Sequence, residues 1–206
     1  MAKPDSKIKA VFFDIGNVLL RFDPAEVRRR ILATLGKKPM GVLRLILSGR
    51  LVDDLERGRL PPRELYRVFR EDLGFPGDYA SFRLLWCDHF TLNRDTQALL
   101  KKVARRTPVY LLSNTNHLHY EFIRKHYAFP RLISGAVLSF RLGLRKPGPG
   151  IYKAALRRAR VQAREALFID DMRANVRGAR AVGMRALRYR GAKRLRQELR
   201  GLGLVR

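Results

Sequence analysis

The chain has 206 residues, with 44 Lys and Arg against 18 Asp and Glu, a formal net charge of +26 at pH 7 and 46% hydrophobic residues. This length allows one domain, or a core with a smaller inserted unit, and no apolar run approaches the roughly 20 residues of a membrane span. The single cysteine, Cys87, excludes an internal disulfide and is typical of a cytoplasmic protein. The basic surplus would attract polyanions, but no nucleic-acid-binding motif accompanies it, so nucleic acid is the less favoured partner.

The first predicted element is a short buried strand that ends in a carboxylate. Residues 9–13 read KAVFF, which is rich in β-branched and aromatic side chains, and Asp14 follows at once. Gly16 and Asn17 then supply turn chemistry. Reacting groups in open α/β sheets collect at the carboxyl ends of strands, so Asp14 lies where a nucleophile or metal ligand is expected. A plain helix-capping role for Asp14 stays open on this evidence.

The segment from residue 22 to residue 94 is predicted to be helical. Asp23 and Glu26 have the spacing of a capping box, with Pro24 at the first helical position. A more apolar helix is predicted over Pro39 to Leu47. Two amphipathic faces follow, carrying Leu65, Val68, Phe69 and Leu73, and then Tyr79, Phe82, Leu85, Trp86 and Phe90. A helix-bundle core explains these aromatic residues better than substrate contact does.

From Asp95, which is predicted to cap a helix, the chain alternates strands with helices. Strands are predicted over Val109–Leu112, Ile133–Leu138, Leu167–Ile169 and Met184–Tyr189. Alternation of this kind predicts an α/β fold, a doubly wound Rossmann-like parallel sheet with right-handed crossovers. A basic C-terminal helix with Leu195, Leu199 and Leu202 at helical spacing is expected to pack on this core.

Polar groups follow these strands as Asp14 follows the first. Ser113 and Asn114 end one strand, Asp170 and Asp171 end another, and Lys146 lies in a turn before a helix. Strand-end groups on one edge of a sheet converge in space. Mg²⁺ prefers carboxylate, water and phosphate oxygens, while lysine and hydroxyl donors stabilise charge on a phosphoryl group. The set therefore suits phosphoryl transfer.

At these four stretches the sequence resembles the haloacid dehalogenase superfamily, with the motifs in the family's order. Three segments are similar in amino-acid sequence to bacterial α-glucose-1-phosphatase-like members: Leu112 to Leu118, Leu142 to Tyr152 and Phe168 to Gly183. Dehalogenation itself is disfavoured, because paired carboxylates at Asp170 and Asp171 imply a metal that a carbon–halogen displacement does not need.

The resemblance also implies roles for the residues at these motifs. Asp14 and Lys146 are expected to be catalytic, with Asp14 as the nucleophile. Ser113, Asn114 and Lys146 are expected to bind the substrate phosphate. The expected cofactor is Mg²⁺, with Asp14, Asp170, Asp171 and the backbone carbonyl of Gly16 as the metal site.

One position departs from the family's phosphatases, which usually carry a general acid–base Asp two residues after the nucleophile. Gly16 occupies that position here. Loss of general acid–base catalysis costs roughly 10²–10⁴ in rate, so good leaving groups such as anomeric sugar phosphates are favoured. Asp23, His89, His117 and His119 are alternative proton donors, although structural roles are better expected for the histidines.

By the same resemblance, residues 1–21 and 95–206 form the core, and residues 22–94 form a small helical cap over the active site. Caps exclude water and select the organic part of a substrate. The candidate contacts from the cap are Phe22, Arg50, Glu56, Arg57 and Trp86. The cap sequence does not identify that organic part.

The sequence thus predicts a Mg²⁺-dependent phosphomonoester hydrolase that acts through an aspartyl-phosphate on a small phosphorylated metabolite, with a sugar 1-phosphate as one candidate. Two other functions stay open. Gly16 is compatible with a catalytically impaired protein that binds a phosphorylated ligand without turnover. The net charge of +26 is compatible with a polyanion-binding or nucleic-acid-binding protein.

Overall fold

A computed structural model describes residues 7–35 and 49–206. In these ranges five strands form one parallel sheet: β1 (Ala10–Phe13), β4 (Val109–Ser113), β5 (Gly135–Leu138), β6 (Ala166–Asp170) and β7 (Arg185–Arg188). Their order across the sheet is β5-β4-β1-β6-β7. Two further strands, β2 (Leu20–Arg21) and β3 (Thr91–Leu92), pair antiparallel.

Helices connect the strands. They are α1 (Pro24–Leu35), α2 (Arg50–Glu56), α3 (Pro62–Arg67), α4 (Tyr79–Cys87), α5 (Arg94–Ala104), α6 (His117–His126), α7 (Ser139–Leu142), α8 (Pro149–Ala159), α9 (Arg173–Ala181) and α10 (Ala192–Gly201). A π-helical turn at Val68–Asp72 continues α3. No helix in the described ranges is both long and apolar enough to cross a bilayer.

The sheet is covered by helices on both faces, which confirms the doubly wound prediction. Alternate residues of β1 enter different apolar clusters, Val11 and Phe13 on one face and Ala10 and Phe12 on the other. Helices α5, α6 and α10 contribute to the first cluster, whereas α8 and α9 contribute to the second. Every residue of β1 is buried, because a parallel sheet covered on both faces keeps its central strands away from water.

The helices between β2 and β3 surround an apolar cluster of their own. Phe69, Phe82 and Trp86 are buried in it, and Leu118 of α6 joins them from the sheet-covering helices. Phe82 contacts both of the other aromatic rings, as a helix-bundle core requires. Cys87 lies in the same cluster, and burial raises the pKa of its thiol to about 12. The helix predicted over residues 39–47 lies outside the described residues.

Of two predicted helix caps, Asp23 is observed at its predicted position and the other differs. Helix α5 is capped by Asn93, whose side chain accepts a hydrogen bond from the Thr96 backbone at 3.3 Å, so the prediction of Asp95 was wrong. Asn93 occupies the capping position because its side chain also donates to the Val18 carbonyl at 3.2 Å, which fixes the residue beside β2. At α1, Asp23 accepts from the Ala25 backbone.

Candidate active site

Two strand ends and the loop between α7 and α8 bring two carboxylates and one ammonium together at the carboxyl edge of the sheet. Phe13 pairs with Leu111 on one side and with Ile169 on the other, so Asp14 and Asp170 emerge side by side. The Lys146 Nζ atom lies 2.8 Å from Asp14 Oδ1 and 2.6 Å from Asp170 Oδ2. The lysine side chain is only 1% exposed, so these ion pairs are shielded from solvent.

The electrostatics of this group are dominated by burial and by excess negative charge. Burial raises the pKa of Asp14 to about 7, an effect that Lys146 opposes and Asp170 reinforces. Burial alone would lower the pKa of Lys146, but the two carboxylates outweigh it and the pKa rises. The pKa of Asp171 is also raised, first by burial and then by the charge of Asp170. Three carboxylates therefore share one ammonium.

The donor set fits a hard divalent cation. Asp14, Asp170 and Asp171 each offer an oxygen, and these three atoms lie within 4.8 Å of one another. Carboxylate oxygens are the ligands that Mg²⁺ takes in proteins, and a cation here would offset the excess negative charge. Gly16 lines the same cavity. These residues are the ones that would hold Mg²⁺.

Asn175 of α9 belongs to this site, although the sequence analysis did not single it out. Its amide Nδ2 donates to both carboxylate oxygens of Asp170, at 3.0 Å each, and the Met172 backbone donates to Asp170 Oδ1 at 2.8 Å. Groups that hydrogen-bond a ligating carboxylate fix its orientation. The available signal was a polar residue next to Val176 on a helix face that is otherwise buried.

The β4 end carries Ser113 and Asn114, and the two have different surroundings. The Ser113 hydroxyl hydrogen-bonds Asp14, which lowers the pKa of that carboxyl and partly offsets its burial. The Asn114 side chain makes two hydrogen bonds to the backbone of Lys146. It donates to the carbonyl at 3.0 Å and accepts from the N–H at 2.9 Å. One N–H of the Asn114 amide remains for a further partner. Asn114 therefore holds the lysine loop against β4.

These groups form one end of a cavity of about 570 Å³. Among the cap candidates, Phe22, Glu56 and Trp86 line it, whereas Arg50 and Arg57 do not. Arg57 pairs with Asp53 at 2.8 Å and donates to the Gly143 carbonyl at 3.1 Å. The cavity connects the carboxylate cluster with the helical segment between β2 and β3, as a substrate pocket would.

Comparison with known proteins agrees with this arrangement. A family model for haloacid dehalogenase-like hydrolases matches residues 8–183. The chain belongs to this family. It is similar to a haloacid dehalogenase family enzyme of Bacteroides thetaiotaomicron, crystallised with magnesium and inorganic phosphate. That similarity has a TM-score of 0.77 and 26% identity over 88% of this chain and 93% of that one.

Two curated relatives have similar lengths. A sesquiterpene phosphatase of Aspergillus oryzae is 29% identical over 197 residues, which cover 94% of this chain and 96% of the relative. A D-ribitol-5-phosphate phosphatase of Bacteroides thetaiotaomicron is 25% identical over 205 residues, covering 93% and 97% of the two chains.

In this haloacid dehalogenase-like chain, the loop before Lys146 is tied to helix α2. Arg145, which the sequence analysis did not single out, lines the cavity and pairs with Asp53 and, at 2.6 Å, with Glu56. Gly58 permits the approach, because its φ is +70° and a β-carbon there would lie 2.2 Å from the Phe140 carbonyl oxygen. Burial raises the pKa of Glu56 although Arg145 opposes the shift.

Of the four alternative proton donors, only two histidines line the cavity. Burial lowers the pKa of His89 to about 4 and that of His119 to about 3, so both are neutral at pH 7. His119 contacts the Asn116 amide and the Trp86 carbonyl, each at 3.1 Å. His117 is exposed and pairs with Glu121, while Asp23 caps α1. A neutral imidazole lacks the proton that an acid catalyst must donate at this pH.

Proposed function

We propose that the protein is a Mg²⁺-dependent phosphomonoester hydrolase with Asp14 as its nucleophile. The observation that carries this proposal is the meeting of Asp14, Asp170 and Asp171 at one end of the cavity, with Lys146 between two of them. The phosphatase names of the two relatives and the magnesium and phosphate bound to the similar crystal structure support it.

The proposed reaction has two steps. The Asp14 carboxylate attacks phosphorus in line, the P–O bond to the leaving group breaks as the aspartyl-phosphate forms, and the departing alkoxide takes a proton from water. Water then attacks that phosphorus, releases inorganic phosphate and regenerates Asp14. A bound Mg²⁺, held by Asp14, Asp170, Asp171 and the Gly16 carbonyl, would neutralise charge on the phosphoryl oxygens.

The remaining roles fall to groups already in place. The Lys146 ammonium lies 2.8 Å from the nucleophile, where it can stabilise charge that develops on the phosphoryl group. The Ser113 hydroxyl and the remaining N–H of Asn114 are proposed donors to the phosphate. Asn175 keeps Asp170 oriented. We assign residues 22–94 as the cap, with residues 1–21 and 95–206 as the core, so that the cap keeps water from the first step.

Phosphate release with and without metal tests this function. Hydrolysis of p-nitrophenyl phosphate is expected with Mg²⁺ and is expected to fall to background with excess EDTA, because the carboxylate cluster then repels the ester. Mg²⁺ is also expected to raise the melting temperature, since a ligand that binds only the folded state stabilises it. Metal-independent hydrolysis would contradict the proposal. Phosphate binding without turnover would favour the non-catalytic alternative.

A second test of the proposed function restores a general acid at position 16. A β-carbon at Gly16 would meet no heavy atom within 4 Å, and its φ is not positive, so the backbone accepts a side chain. Gly16→Asp is expected to raise the rate for butyl phosphate by roughly 10²-fold, the lower range for general acid catalysis. Little gain is expected for p-nitrophenyl phosphate, whose leaving group needs no proton.

The control for this variant is Gly16→Asn, which has nearly the same shape but no acidic proton. Measured kcat values for both esters separate the proton from the added volume. An equal gain in the Asn variant would show that volume, rather than proton transfer, changed the rate.

A further inference from the structure

The cavity has a polar wall and an apolar wall. Its polar groups lie at the strand ends, around Asp14, Ser113 and Lys146. The opposite wall is apolar, with Val27, Leu32 and Leu35 on one side of α1 and Phe22, Trp86 and Phe90 beside them. The spacing of the α1 residues places them on one helical face. The wall that faces the organic part of a substrate is therefore largely hydrocarbon and aromatic.

Apolar side chains at this cavity are also more exposed than usual. Val52 is 37% exposed and Met172 is 56% exposed, and both line it. The three α1 residues are only half-buried. Apolar side chains left open at a cavity in this way are a common mark of a binding site for an apolar group.

The polar groups near this wall have few hydrogen bonds left to offer. Asn116 and His119 bond each other, and Arg145 is paired with two carboxylates. Within the described residues that line the cavity, the buried side-chain atoms without a hydrogen-bond partner are Glu56 Oε2, Arg145 Nε, the indole N–H of Trp86 and both ring nitrogens of His89. Of these residues, Trp86 is part of the apolar wall and His89 packs against Phe22 and Phe90 of that wall. The several hydroxyls of a sugar or polyol would lose their water there without replacement, which is costly.

We propose that the ester carries an apolar chain, so that the substrate is the monophosphate of an aliphatic alcohol of about ten to fifteen carbons. At about 30 Å³ for a water-sized group, 570 Å³ holds roughly nineteen such groups, enough for a phosphate and a chain of this size. This inference rests on the proposed phosphatase function. It replaces the sugar 1-phosphate suggested by Gly16 with an ester chosen by burial of its tail.

A series of n-alkyl phosphates from butyl to decyl, each below its micelle concentration, tests the inference. Chain length leaves the leaving-group pKa almost unchanged, so a trend in kcat/KM reports burial of the tail. We expect a rise of about fourfold for each methylene until the cavity is full. Glucose 1-phosphate, glucose 6-phosphate and ribitol 5-phosphate are expected to react more slowly than decyl phosphate.

Binding supplies a readout that does not need turnover. Titration calorimetry on the Asp14→Asn variant with Mg²⁺ is expected to show affinity rising along the same alkyl series. Trp86 is the single tryptophan of the chain and lines the cavity. Its fluorescence is therefore expected to shift with decyl phosphate and not with glucose 1-phosphate, which places the tail at this wall.

A pair of matched variants locates the tail further. Leu32→Gln puts a side chain of similar size but polar character on the wall and is expected to flatten the chain-length series. Leu84→Gln makes the same exchange on α4, where Leu84 is 57% exposed and does not line the cavity, and is expected to leave the series unchanged. Equal effects of the two variants would overturn the assignment of this wall.

The outcomes separate the inference from the function on which it rests. Turnover of p-nitrophenyl phosphate with a flat alkyl series, or faster turnover of the sugar esters, overturns the apolar substrate and keeps the phosphatase. Binding that rises with chain length without turnover of any ester overturns the phosphatase and keeps the apolar ligand. Absence of both binding and turnover overturns both proposals.

Discussion

Asp14→Asn is expected to lower Mg²⁺-dependent phosphate release by a factor on the order of 10⁴ or more, as loss of a covalent nucleophile does in other hydrolases. The Asn amide is a poor nucleophile, so the first bond to phosphorus cannot form. The amide keeps nearly the same volume beside Lys146, so the fold is expected to survive. Phosphate release from p-nitrophenyl phosphate, together with a thermal melt, measures both consequences.

The control for Asp14 is Asp95→Asn, an exposed carboxylate in the first turn of α5. It removes the same charge at a residue that does not line the cavity and is expected to leave turnover unchanged. Residual activity of Asp14→Asn above about a hundredth of wild type would be incompatible with an aspartyl-phosphate on this residue.

The same variant has a stability signature that depends on pH. Because the folded-state pKa of Asp14 is raised to about 7, its ionisation costs stability as pH rises from about 4 to 7. Without metal, the Asp14→Asn variant is therefore expected to be more stable than wild type above pH 7. This difference in stability is expected to disappear near pH 4. The urea concentration at the midpoint of unfolding, measured for both proteins at several pH values, checks the direction of this difference.

The parts of this site that the sequence predicted are those fixed by strand ends. Asp14, Ser113 and Asp170 each follow a short apolar run, and parallel pairing then places them at one edge with no further information. Lys146 follows no predicted strand; it was included from its turn before a predicted helix, and the family resemblance then implied its role in catalysis and phosphate binding. The doubly wound sheet was predictable for a related reason, since alternation of strands with helices leaves few topologies.

The parts that the sequence did not predict depend on how separate elements meet. Asn175 reaches Asp170 only because α9 starts at a particular phase after β6, and Arg145 meets Asp53 and Glu56 only because α2 packs on its loop. Trp86 shows the limit most clearly. Its helical spacing predicted a core residue and the family resemblance made it a candidate contact from the cap, and the side chain both lies in the apolar cluster and lines the cavity. No periodicity distinguishes these two surroundings.

The fold and the cavity together give Gly16 a different meaning from the one its position suggested. An enzyme without a general acid gains most from a good leaving group, or from binding energy taken from a remote part of the substrate. The apolar wall offers the second source, because burial of a long tail can hold the phosphate against Asp14 in an attacking geometry. The Gly16→Asp and alkyl-series experiments therefore examine two contributions to the same barrier.

Lys146→Met is expected to have the largest effect on the fold. The variant keeps an unbranched side chain of similar length but leaves Asp14 and Asp170 buried without their shared cation. Removing one member of a buried ion pair typically costs about 3–5 kcal/mol. Turnover is expected to fall as well, by roughly 10²–10³, because a charged donor to the phosphoryl group is lost.

Lys153→Met is the matched control, since Lys153 lies on α8 and is exposed. A surface change of this kind is expected to alter stability by less than about 0.5 kcal/mol. Mg²⁺ is expected to recover more stability in Lys146→Met than in wild type, because the added cation replaces charge that the lysine no longer supplies. Urea unfolding of both variants with Mg²⁺ and with EDTA measures this difference. An equal Mg²⁺ effect in Lys146→Met and wild type would mean that Lys146 and the metal do not act on the same carboxylates, and the proposed division of charge at this site would then be wrong.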